Sequence, residues 1–346
     1  MKKILIVSQY PNIENLKDGM IRRISEIDKL LSNYDKIYLD ISFKRKKNQG
    51  ILKRKSLHPL YNLIDIIKII KNSDKIYCHS LFNFIKIFPI IIFFKREIIL
   101  DYHGTVPEEQ SFLGNKFQSK IMNLIEWIMI IKIKKSIFVT NKMKNFYFEK
   151  YNYRKKLEKS LIFPIVDTTI REKIEMKKSN YLKDKVVFIY SGGLAKWQNI
   201  SLMLDIISNA QNENYFYIFL TGQKKEMSEL LISKKINPNI YLLETVEPEE
   251  LGDYYEVANY GFILRDDHIL NRVANPTKLG EYLDYGIIPI VKLEELGDYK
   301  EMGYEYLKLE EFNNNLVKKK SLKNIKLMTD YKKRHLKSDF LKFIES

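Results

Sequence analysis

The chain has 346 residues, of which 45% are hydrophobic and 29% are charged, and it carries a formal net charge of +16 at pH 7. This length suits two domains, and the balance of apolar and charged residues excludes a disordered chain. The single cysteine, Cys78, excludes an intrachain disulfide framework and fits a reducing cytoplasm.

The N-terminal segment MKKILIVSQY has the lysines and the apolar start of a signal peptide. Its apolar part spans only residues 4–7, and no cleavage site of small residues follows, so we interpret it as a first β-strand. The most apolar run, residues 85–94, contains Lys86 and Pro89 and is far shorter than the ~20 apolar residues of a membrane-spanning helix. No transmembrane segment is predicted.

In the N-terminal half, short apolar strands alternate with segments of helical periodicity. The predicted strands are residues 3–7, 36–41, 75–79, 98–102 and 136–140. The predicted helices are residues 20–31, 57–71, 82–94, 115–132 and 142–150. Repeated βα units of this kind indicate a parallel sheet with helices on both faces.

Ligand-binding loops in such folds lie beyond the carboxyl ends of the strands. The loop after the first strand, SQYPNIENLKDGMIRRI, contains Gly19, which permits close approach of the backbone to a ligand. Arg22 or Arg23 follows in the first helical turns. This loop is either a ligand contact or a plain surface loop.

The loop after the fourth predicted strand has the sequence DYHGTVPEE. His103 at this strand end can act as a general base, as a hydrogen-bond donor to a sugar, or as an ordinary loop residue. Glu108 and Glu109 could offer a carboxylate to an acceptor, although acidic residues at a helix start are also favoured by the helix dipole.

The segment from residue 115 to residue 138 has an amphipathic pattern and leads into a strand. Such a helix could lie on a membrane or flank the sheet, and we favour a buried flank of the sheet. The domain boundary is predicted near residues 163–167, and a charged, strandless passage to residue 184 has the composition of a linker. We therefore predict domains at residues 1–164 and 165–325, with a C-terminal helix at 326–346 that crosses back onto the first domain.

The second half repeats the pattern, with predicted strands at residues 186–190, 215–221, 239–243 and 261–264. The first of these strands is followed by SGGLAKWQN. Gly192 and Gly193 permit close backbone approach, and Lys196 can meet a diphosphate. A Gly-Gly turn with one lysine is a weak signal by itself.

The most informative segment is YGFILRDDHILNRVANPTKLGEYLDYGIIPIV, residues 260–291. A buried strand leads into a polar loop, and Asn275 and Pro276 are suited to the N-cap and first position of a helix. Gly286 fits the left-handed position just past the helix end, and a second strand follows at residues 287–291. The pattern predicts a βαβ unit.

The start of this predicted helix has the features of an anion site. Free backbone N–H groups at a helix N-terminus attract phosphate, and Lys278 adds a positive charge within the first turn. Glu281 lies one turn past Thr277 and could accept hydrogen bonds from a ribose diol. An ordinary crossover helix with a solvated glutamate is the alternative interpretation.

The run NRVANPTKLGEYLDYGIIPIV resembles the nucleotide-sugar segment of GT-B glycosyltransferases, particularly family 4, in which a Pro-Thr-Lys-x-x-Glu-Tyr helix start grips the donor diphosphate. The resemblance implies an α/β protein of two Rossmann-like domains whose parallel sheets face a central cleft. It implies a nucleoside-diphosphate sugar as donor, bound by residues that include Asn275, Pro276, Thr277 and Lys278, with Glu281 holding the ribose.

The resemblance also implies roles for residues outside this helix, and it has departures. Family members often have a second glutamate eight positions earlier, where this chain has Val273, so Asp266 or Asp267 is the natural substitute near the donor sugar. The family's basic loop often has an arginine before its lysine, where this chain has glycine or leucine. The implied donor residues are Gly193, Lys196 and Arg265, the implied acceptor residues are Gly19, Arg22 and Glu108, and the implied catalytic residues are His103 and Asp266.

We therefore predict a glycosyltransferase that moves a sugar from its nucleotide to a glycan or lipid-linked glycan in surface polysaccharide biosynthesis. Retention of configuration follows from the resemblance, and we expect no metal ion and no tightly bound cofactor. The alternatives are a sugar-nucleotide epimerase of the same fold and a noncatalytic glycan- or lipid-binding partner with a degenerate nucleotide site.

The basic clusters lie at residues 44–47, 53–55, 318–320 and 332–334. They indicate solvated surface or an anionic membrane, and no motif for nucleic acid accompanies them. The predicted location is the cytoplasm, including the inner face of the cell membrane as a peripheral protein.

Overall fold

The computed structural model describes residues 2–12, 19–43, 53–152, 159–164, 182–335 and 337–346. The chain divides into two units. Unit 1 comprises Met1–Ile165, Val273–Asn275 and His335–Ser346, and unit 2 comprises Val166–Arg272 and Pro276–Arg334. Most of the predicted linker and of the predicted domain junction lies outside the described residues, as does the basic cluster at 44–47.

The described residues of unit 1 form a seven-stranded parallel sheet in the order β3-β2-β1-β4-β5-β6-β7. The strands are β1 (Lys3–Val7), β2 (Asp35–Ile41), β3 (Arg54–Leu57), β4 (Lys75–His79), β5 (Glu97–Tyr102), β6 (Lys135–Phe138) and β7 (Ser160–Ile162). The helices along the same stretch are α1 (Gly19–Leu30), α2 (Leu63–Lys71), α3 (Ser80–Ile91), α4 (Val106–Phe112), α5 (Lys116–Met129) and α6 (Asn141–Tyr151).

The described residues of unit 2 form a six-stranded parallel sheet in the order β10-β9-β8-β11-β12-β13. The strands are β8 (Val186–Ser191), β9 (Tyr215–Leu220), β10 (Tyr241–Glu244), β11 (Tyr260–Ile263), β12 (Ile288–Val291) and β13 (Leu307–Lys308). The helices are α7 (Ile200–Asn209), α8 (Lys224–Ser233), α9 (Leu251–Val257), α10 (Ile269–Val273), α11 (Thr277–Asp284), α12 (Tyr299–Met302) and α13 (Leu322–Arg334).

Both sheets are buried on two faces, as the apolar strands predict. In unit 2, Phe188 belongs to one core cluster and its chain neighbours Val187 and Ile189 belong to the other, because successive side chains of a strand point to opposite faces. Strand order reverses between β1 and β4 in unit 1 and between β8 and β11 in unit 2. Ligands in doubly wound sheets bind beyond the strand ends at such a reversal.

Two predicted helices need correction. The predicted helix at residues 57–71 is shorter, because Arg54–Leu57 pairs with β2 as an edge strand and α2 begins only at Leu63. The predicted C-terminal helix is two helices, α13 in unit 2 and α14 (Lys337–Glu345) in unit 1. A break between them lets each helix bury its apolar residues in a different unit.

Helix α14 is held on unit 1 through its apolar face and its C-terminal end. Phe340 and Ile344 are buried in the unit 1 core. The ammonium groups of Lys75 and Lys135 donate hydrogen bonds to the Ile344 carbonyl at 2.7 and 3.3 Å. Cations at a helix C-terminus are favourable because the last carbonyls carry partial negative charge.

The interpretation of residues 115–138 as a buried flank of the sheet is wrong for the outer face of helix α5, although the residues that follow this helix are largely buried. Helix α5 buries Ser119, Glu126 and Met129, whereas apolar residues such as Phe117 and Leu124 are exposed. Within the described ranges, no helix has the length and apolar content needed to cross a membrane.

Candidate functional site

The loops after β8 and β11, together with the start of α11, form the candidate donor site of unit 2. The parallel register that pairs β11 with β8 brings the ends of these two strands to one edge of the sheet. Most of the predicted donor residues lie on these segments. The site therefore stands where the reversal of strand order predicts a ligand.

Lys278 is a lysine whose amino group is buried without a hydrogen-bond partner among the described residues. Its Nζ atom donates no hydrogen bond to the described residues and lies 3.8 Å from the ring centroid of Tyr190. Burial, followed by the charge of Arg265, lowers the pKa of the Lys278 ammonium well below its usual value. The attraction between a cation and an aromatic ring offsets only part of the hydration free energy that the cation loses on burial.

Gly192 makes room for this lysine. Its φ is +140°, a conformation that side chains rarely adopt, and an added Cβ would lie 2.9 Å from the Lys278 ammonium nitrogen. The hydroxyl of Tyr190 donates a hydrogen bond to the Gly193 carbonyl, which fixes the ring beneath the ammonium. The Gly-Gly turn that the sequence singles out therefore shapes the environment of Lys278.

Arg265 adds a second buried positive charge. Burial lowers the pKa of its guanidinium to about 10. Its Nη1 donates a hydrogen bond to Asn271 Oδ1 at 3.3 Å, while its Nε is buried and has no partner among the described residues. Two neighbouring cations with unused donors repel each other, and a bound anion would relieve both their repulsion and their desolvation.

Glu281 lies in α11 about one turn after Lys278 and is held by a tyrosine. Its Oε2 accepts a hydrogen bond from the Tyr255 hydroxyl at 3.0 Å, and that hydroxyl also lies 2.8 Å from Ser191 Oγ. Ser191 ends β8, so the carboxylate is anchored to the strand beside the candidate site. An acid held in this way can accept hydrogen bonds from a diol without reorganising.

The start of α11 differs from the prediction by one residue. Pro276, with φ −66° and ψ 111°, occupies the N-cap, and Thr277 is the first helical residue. The predicted N-cap residue Asn275 makes no capping bond, and its Oδ1 is buried without a partner in the described part of the chain. Because proline has no capping side chain, the first N–H groups of this eight-residue helix keep their capacity to bind an anion. The left-handed conformation of Gly286 is confirmed at φ +66°.

Lys196 and Gly193 lie on the loop after β8. Lys196 begins a short 3-10 turn, Lys196–Gln198, and is exposed. Gly193 is followed by Leu194, whose N–H donates to Gln223 Oε1 at 2.8 Å. Both residues thus lie on the same loop as Gly192, whose position beside Lys278 the structure shows directly, and their contact with a donor stays a prediction.

The two candidate acids of the loop after β11 are already paired. Lys292 Nζ donates to Asp266 Oδ1 at 2.5 Å, and this hydrogen bond lowers the pKa of the Asp266 carboxyl. Arg272 binds both oxygens of Asp267. Each carboxylate is therefore ionised at neutral pH and is suited to orienting a ligand hydroxyl rather than to donating a proton.

In unit 1, the candidate residue His103 follows directly after β5 and borders a buried ionic network. Arg23 binds both oxygens of Asp101, with Nη2 to Oδ1 at 2.7 Å and Nε to Oδ2 at 2.8 Å. The Tyr77 hydroxyl donates to the same carboxylate at 2.9 Å. The His79 ring also borders this network, with a centroid distance of 6.1 Å to the His103 ring.

Burial and the ion pair set the protonation states in this network. Burial of the Asp101 carboxyl opposes its ionisation, but the Arg23 guanidinium together with His79 and His103 outweighs this effect and holds its pKa far below the usual range. Burial lowers the pKa of His103 to about 3, so its imidazole is neutral at physiological pH. Its Nε2 is buried and lacks a partner among the described residues. A neutral imidazole there can donate or accept a hydrogen bond but carries no charge to a ligand.

His79, Asp101 and His103 also form a group whose potential ligand atoms lie within 4.8 Å of one another. Asp101 would have to supply the negative charge of a cation site. Both of its oxygens already bind a guanidinium, and one also binds a tyrosine hydroxyl. A cation there would have to displace a buried arginine, so the arrangement fits an ion pair better than a metal site.

The predicted acceptor residues lie in unit 1. Gly19 begins α1, and a Cβ added to it would meet nothing within 4 Å, so no packing contact among the described residues demands a glycine. Arg22 is half-buried on α1, whereas its neighbour Arg23 turns into the core. Glu108 binds Lys150 through Oε1 at 2.7 Å.

Sequence reasoning missed Tyr190 and the pairing of Arg23 with Asp101. A signal for the pair is present, because Arg23 shares the helical face of Ile24 and Ile27 and Asp101 interrupts an apolar strand. Charged residues at core positions are rarely buried unless they are paired.

No protein-family model and no curated protein sequence matches this chain. Solved structures do match it across almost its whole length. HepE from Anabaena in complex with UDP has a TM-score of 0.66 at 9% identity and covers 100% of both chains. Sucrose-phosphate synthase from Thermosynechococcus elongatus has a TM-score of 0.63 at 8% identity, covering 98% of this chain and 91% of that one. WaaG, a glycosyltransferase involved in lipopolysaccharide biosynthesis, has a TM-score of 0.59 at 8% identity, covering 97% of this chain and 93% of that one.

The predicted α/β class with two Rossmann-like domains is confirmed, and the fold is that of GT-B glycosyltransferases.

Proposed function

We propose that the protein is a glycosyltransferase that takes its sugar from a nucleoside-diphosphate sugar bound at the Lys278 site of unit 2. The observation that carries this proposal is the pair of buried cations, Lys278 and Arg265, with unused donors beside the uncapped start of α11. A diphosphate supplies the missing negative charge. The similar fold of HepE, which binds UDP, and of sucrose-phosphate synthase agrees with such a donor.

The chemistry follows from where charge develops. When the bond between sugar and phosphate breaks, negative charge accumulates on the leaving diphosphate. Lys278, Arg265 and the first N–H groups of α11 are already oriented and desolvated, so they lower the barrier without reorganisation. Lys196 would contact the same phosphates from the loop after β8. Glu281, held by Tyr255, would accept hydrogen bonds from the ribose diol.

The remaining assignments concern the sugar and its acceptor. Val273 is apolar and only 3% exposed, so it cannot hydrogen-bond the donor sugar as the family's glutamate does. Asp266 is the proposed substitute. His103, neutral and with an unsatisfied Nε2, would hydrogen-bond the reacting sugar or the acceptor hydroxyl. Gly19, Arg22 and Glu108 are the proposed acceptor residues. Retention of configuration is part of the proposal and rests on the family resemblance.

Calorimetry with UDP-, GDP-, dTDP- and CMP-linked sugars tests the proposal and identifies the base. We expect one of these nucleotide sugars to bind and its sugar to be transferred only when a glycan acceptor is present. Conversion without an acceptor would instead indicate an epimerase. Binding without turnover, for any acceptor offered, would indicate a noncatalytic partner, which the valine at position 273 favours.

The Glu281→Ala variant should lose about 2 kcal/mol of binding free energy for the preferred nucleotide sugar, or roughly thirtyfold in Kd, because two hydrogen bonds to a charged acceptor are removed. The matched control is Glu229→Ala on the exposed surface of α8, which should leave Kd unchanged. Calorimetric Kd values for both variants provide the measurement. An unchanged affinity for Glu281→Ala would show that the ribose assignment is wrong.

Turnover should survive treatment with a chelator such as EDTA, because fixed cations of the protein are proposed to neutralise the leaving diphosphate. We expect initial rates within about twofold of the untreated enzyme after exhaustive dialysis against chelator. Loss of activity that added Mg²⁺ or Mn²⁺ restores would refute the metal-independent mechanism.

The acceptor is proposed to be a glycan or lipid-linked glycan at the inner face of the cell membrane, in surface polysaccharide biosynthesis. The net charge of +16 supports contact with an anionic lipid surface. The similar fold of WaaG, which is involved in lipopolysaccharide biosynthesis, agrees with this class of acceptor.

A further inference from the structure

Helix α5 of unit 1 exposes a continuous row of large apolar side chains. Phe117, Ile121, Leu124 and Ile128 are 76%, 43%, 59% and 38% exposed, and we call this row the α5 stripe. Their spacing of four, three and four residues puts them on one face of the helix. Trp127, 49% exposed, lies beside the row. Contiguous apolar surface of this kind is uncommon on soluble proteins and marks a site of interaction.

The opposite face of α5 fixes the direction in which the stripe points. Ser119, Glu126 and Met129 are buried against unit 1. Glu126 accepts hydrogen bonds from Lys150 at 2.7 Å and from the Tyr151 hydroxyl. Because this buried anchor requires the present rotation of α5, the helix cannot turn its apolar row inward without breaking a buried ion pair.

The charges around the stripe identify the kind of surface that it fits. Lys116, Lys120 and Lys134 are exposed on or just after α5. The acidic residue of the helix, Glu126, faces inward and is already neutralised by Lys150. The exposed face of α5 is thus apolar and basic, which is the pattern of helices that lie in the interface of an anionic membrane.

We propose that the α5 stripe is a membrane-docking surface that inserts its apolar side chains between the headgroups of an anionic bilayer. The lysines would contact the lipid phosphates while the helix lies parallel to the membrane plane. Helix α5 would thereby hold the proposed glycosyltransferase at the membrane, although the evidence for docking comes from the exposed surface of α5 and not from the donor site. A protein partner or a second copy of the chain would occupy the same surface without lipid.

The position of Trp127 allows a direct test. The chain has two tryptophans, Trp127 and Trp197, so Trp197→Phe leaves Trp127 as the reporter beside the stripe. With vesicles containing phosphatidylglycerol, we expect a blue shift of its emission and co-sedimentation of the protein. Neutral phosphatidylcholine vesicles should bind at least about tenfold more weakly, and added salt should weaken the anionic binding. Binding of the anionic vesicles without any shift of Trp127 emission would overturn the proposal.

A double variant separates docking from general surface hydrophobicity. Ile121→Ser with Leu124→Ser should lower the vesicle partition coefficient roughly thirtyfold, because two partly inserted side chains are lost. The matched control is Ile232→Ser on α8, a residue that is 70% exposed. An equal loss for this control, or sedimentation showing that the double variant dissociates a lipid-free dimer, would contradict membrane docking.

Circular dichroism and calorimetry with the preferred nucleotide sugar, both on the double variant, complete the test. We expect its fold and donor affinity to be retained, because the substitutions lie on the outer face of unit 1. Retained vesicle binding by the double variant would refute the docking surface even if the donor binds as expected. Conversely, if no nucleotide sugar binds the wild-type chain, the proposed function fails while the vesicle results still decide the role of the α5 stripe.

Discussion

Replacing Lys278 with methionine should weaken binding of the preferred nucleotide sugar by about a hundredfold and, at the same time, raise the midpoint of thermal unfolding. The loss of affinity corresponds to about 2.7 kcal/mol, within the range for removing one partner of a desolvated charge pair. The gain in stability follows because the free protein buries an ammonium with no acceptor among the described residues. Methionine retains the packing over the Tyr190 ring.

The binding of a nucleotide sugar should also depend on pH through Lys278. Burial lowers the pKa of this ammonium in the free protein, and a bound diphosphate would raise it again. The affinity should therefore be highest at pH values below the pKa of Lys278 in the free protein. It should fall as the pH rises towards the pKa of Lys278 in the complex. A nucleotide sugar is the proper ligand, since its diphosphate diester has no proton to lose near neutral pH.

Calorimetry across pH and differential scanning calorimetry supply the two measurements for Lys278→Met. The control is Lys234→Met, which removes a lysine that pairs with Asp205 on the surface of unit 2. We expect the control to change neither the affinity nor its pH dependence. A Lys278→Met protein that binds as tightly as the wild type would exclude this site as the diphosphate site.

The Asp101→Asn variant should lose about 3 to 5 kcal/mol of stability, because it leaves the fully buried guanidinium of Arg23 without its counterion. For a unit of this size, the expected decrease in Tm is roughly 10 °C. Chemical denaturation and scanning calorimetry measure the effect. Tyr77 would keep a hydrogen-bond acceptor in the asparagine, so the loss reports mainly on charge.

Two further observations distinguish an ion-pair effect from simple damage to the core. The double variant Arg23→Met with Asp101→Leu should recover most of the lost stability, because no unpaired charge remains. The depressed pKa of Asp101 stabilises the wild type above the unfolded pKa of ~4, and this contribution is lost as the pH falls below that value. The Asp101→Asn variant should lack this dependence of the free energy of unfolding on acidic pH. Equal instability of the single and double variants would argue against the ion pair.

Most strands of the two sheets could be predicted because local patterns determine them, whereas β3, β7 and β13 were not predicted. The prediction for residues 3–7 agrees with β1, and that for 75–79 agrees with β4, since each is a short apolar run bounded by polar residues. The left-handed turn at Gly286 was predictable for the same reason, as few other residues adopt that conformation. The repeated alternation of strand and helix was then enough to predict the fold class.

The parts that could not be predicted depend on contacts distant in the sequence. Asn275 has good N-cap chemistry, yet the chain places it one residue before the cap. The orientation of α5 is set by Glu126 and its partner Lys150 rather than by the helix's own apolar pattern. Likewise, Tyr190 becomes significant only because Lys278, far along the chain, lies over its ring.

The placement of α14 in unit 1 has a consequence for dividing the protein into fragments. A polypeptide ending at residue 164 would lack Phe340, whose ring centroid lies 4.8 Å from that of Phe163. The core residues that Phe340 covers would then be exposed to water. Such a fragment should be prone to aggregation when expressed alone. Appending residues 335–346 through a short flexible linker would restore the missing helix, so the first unit is better produced as this fusion than as a simple truncation.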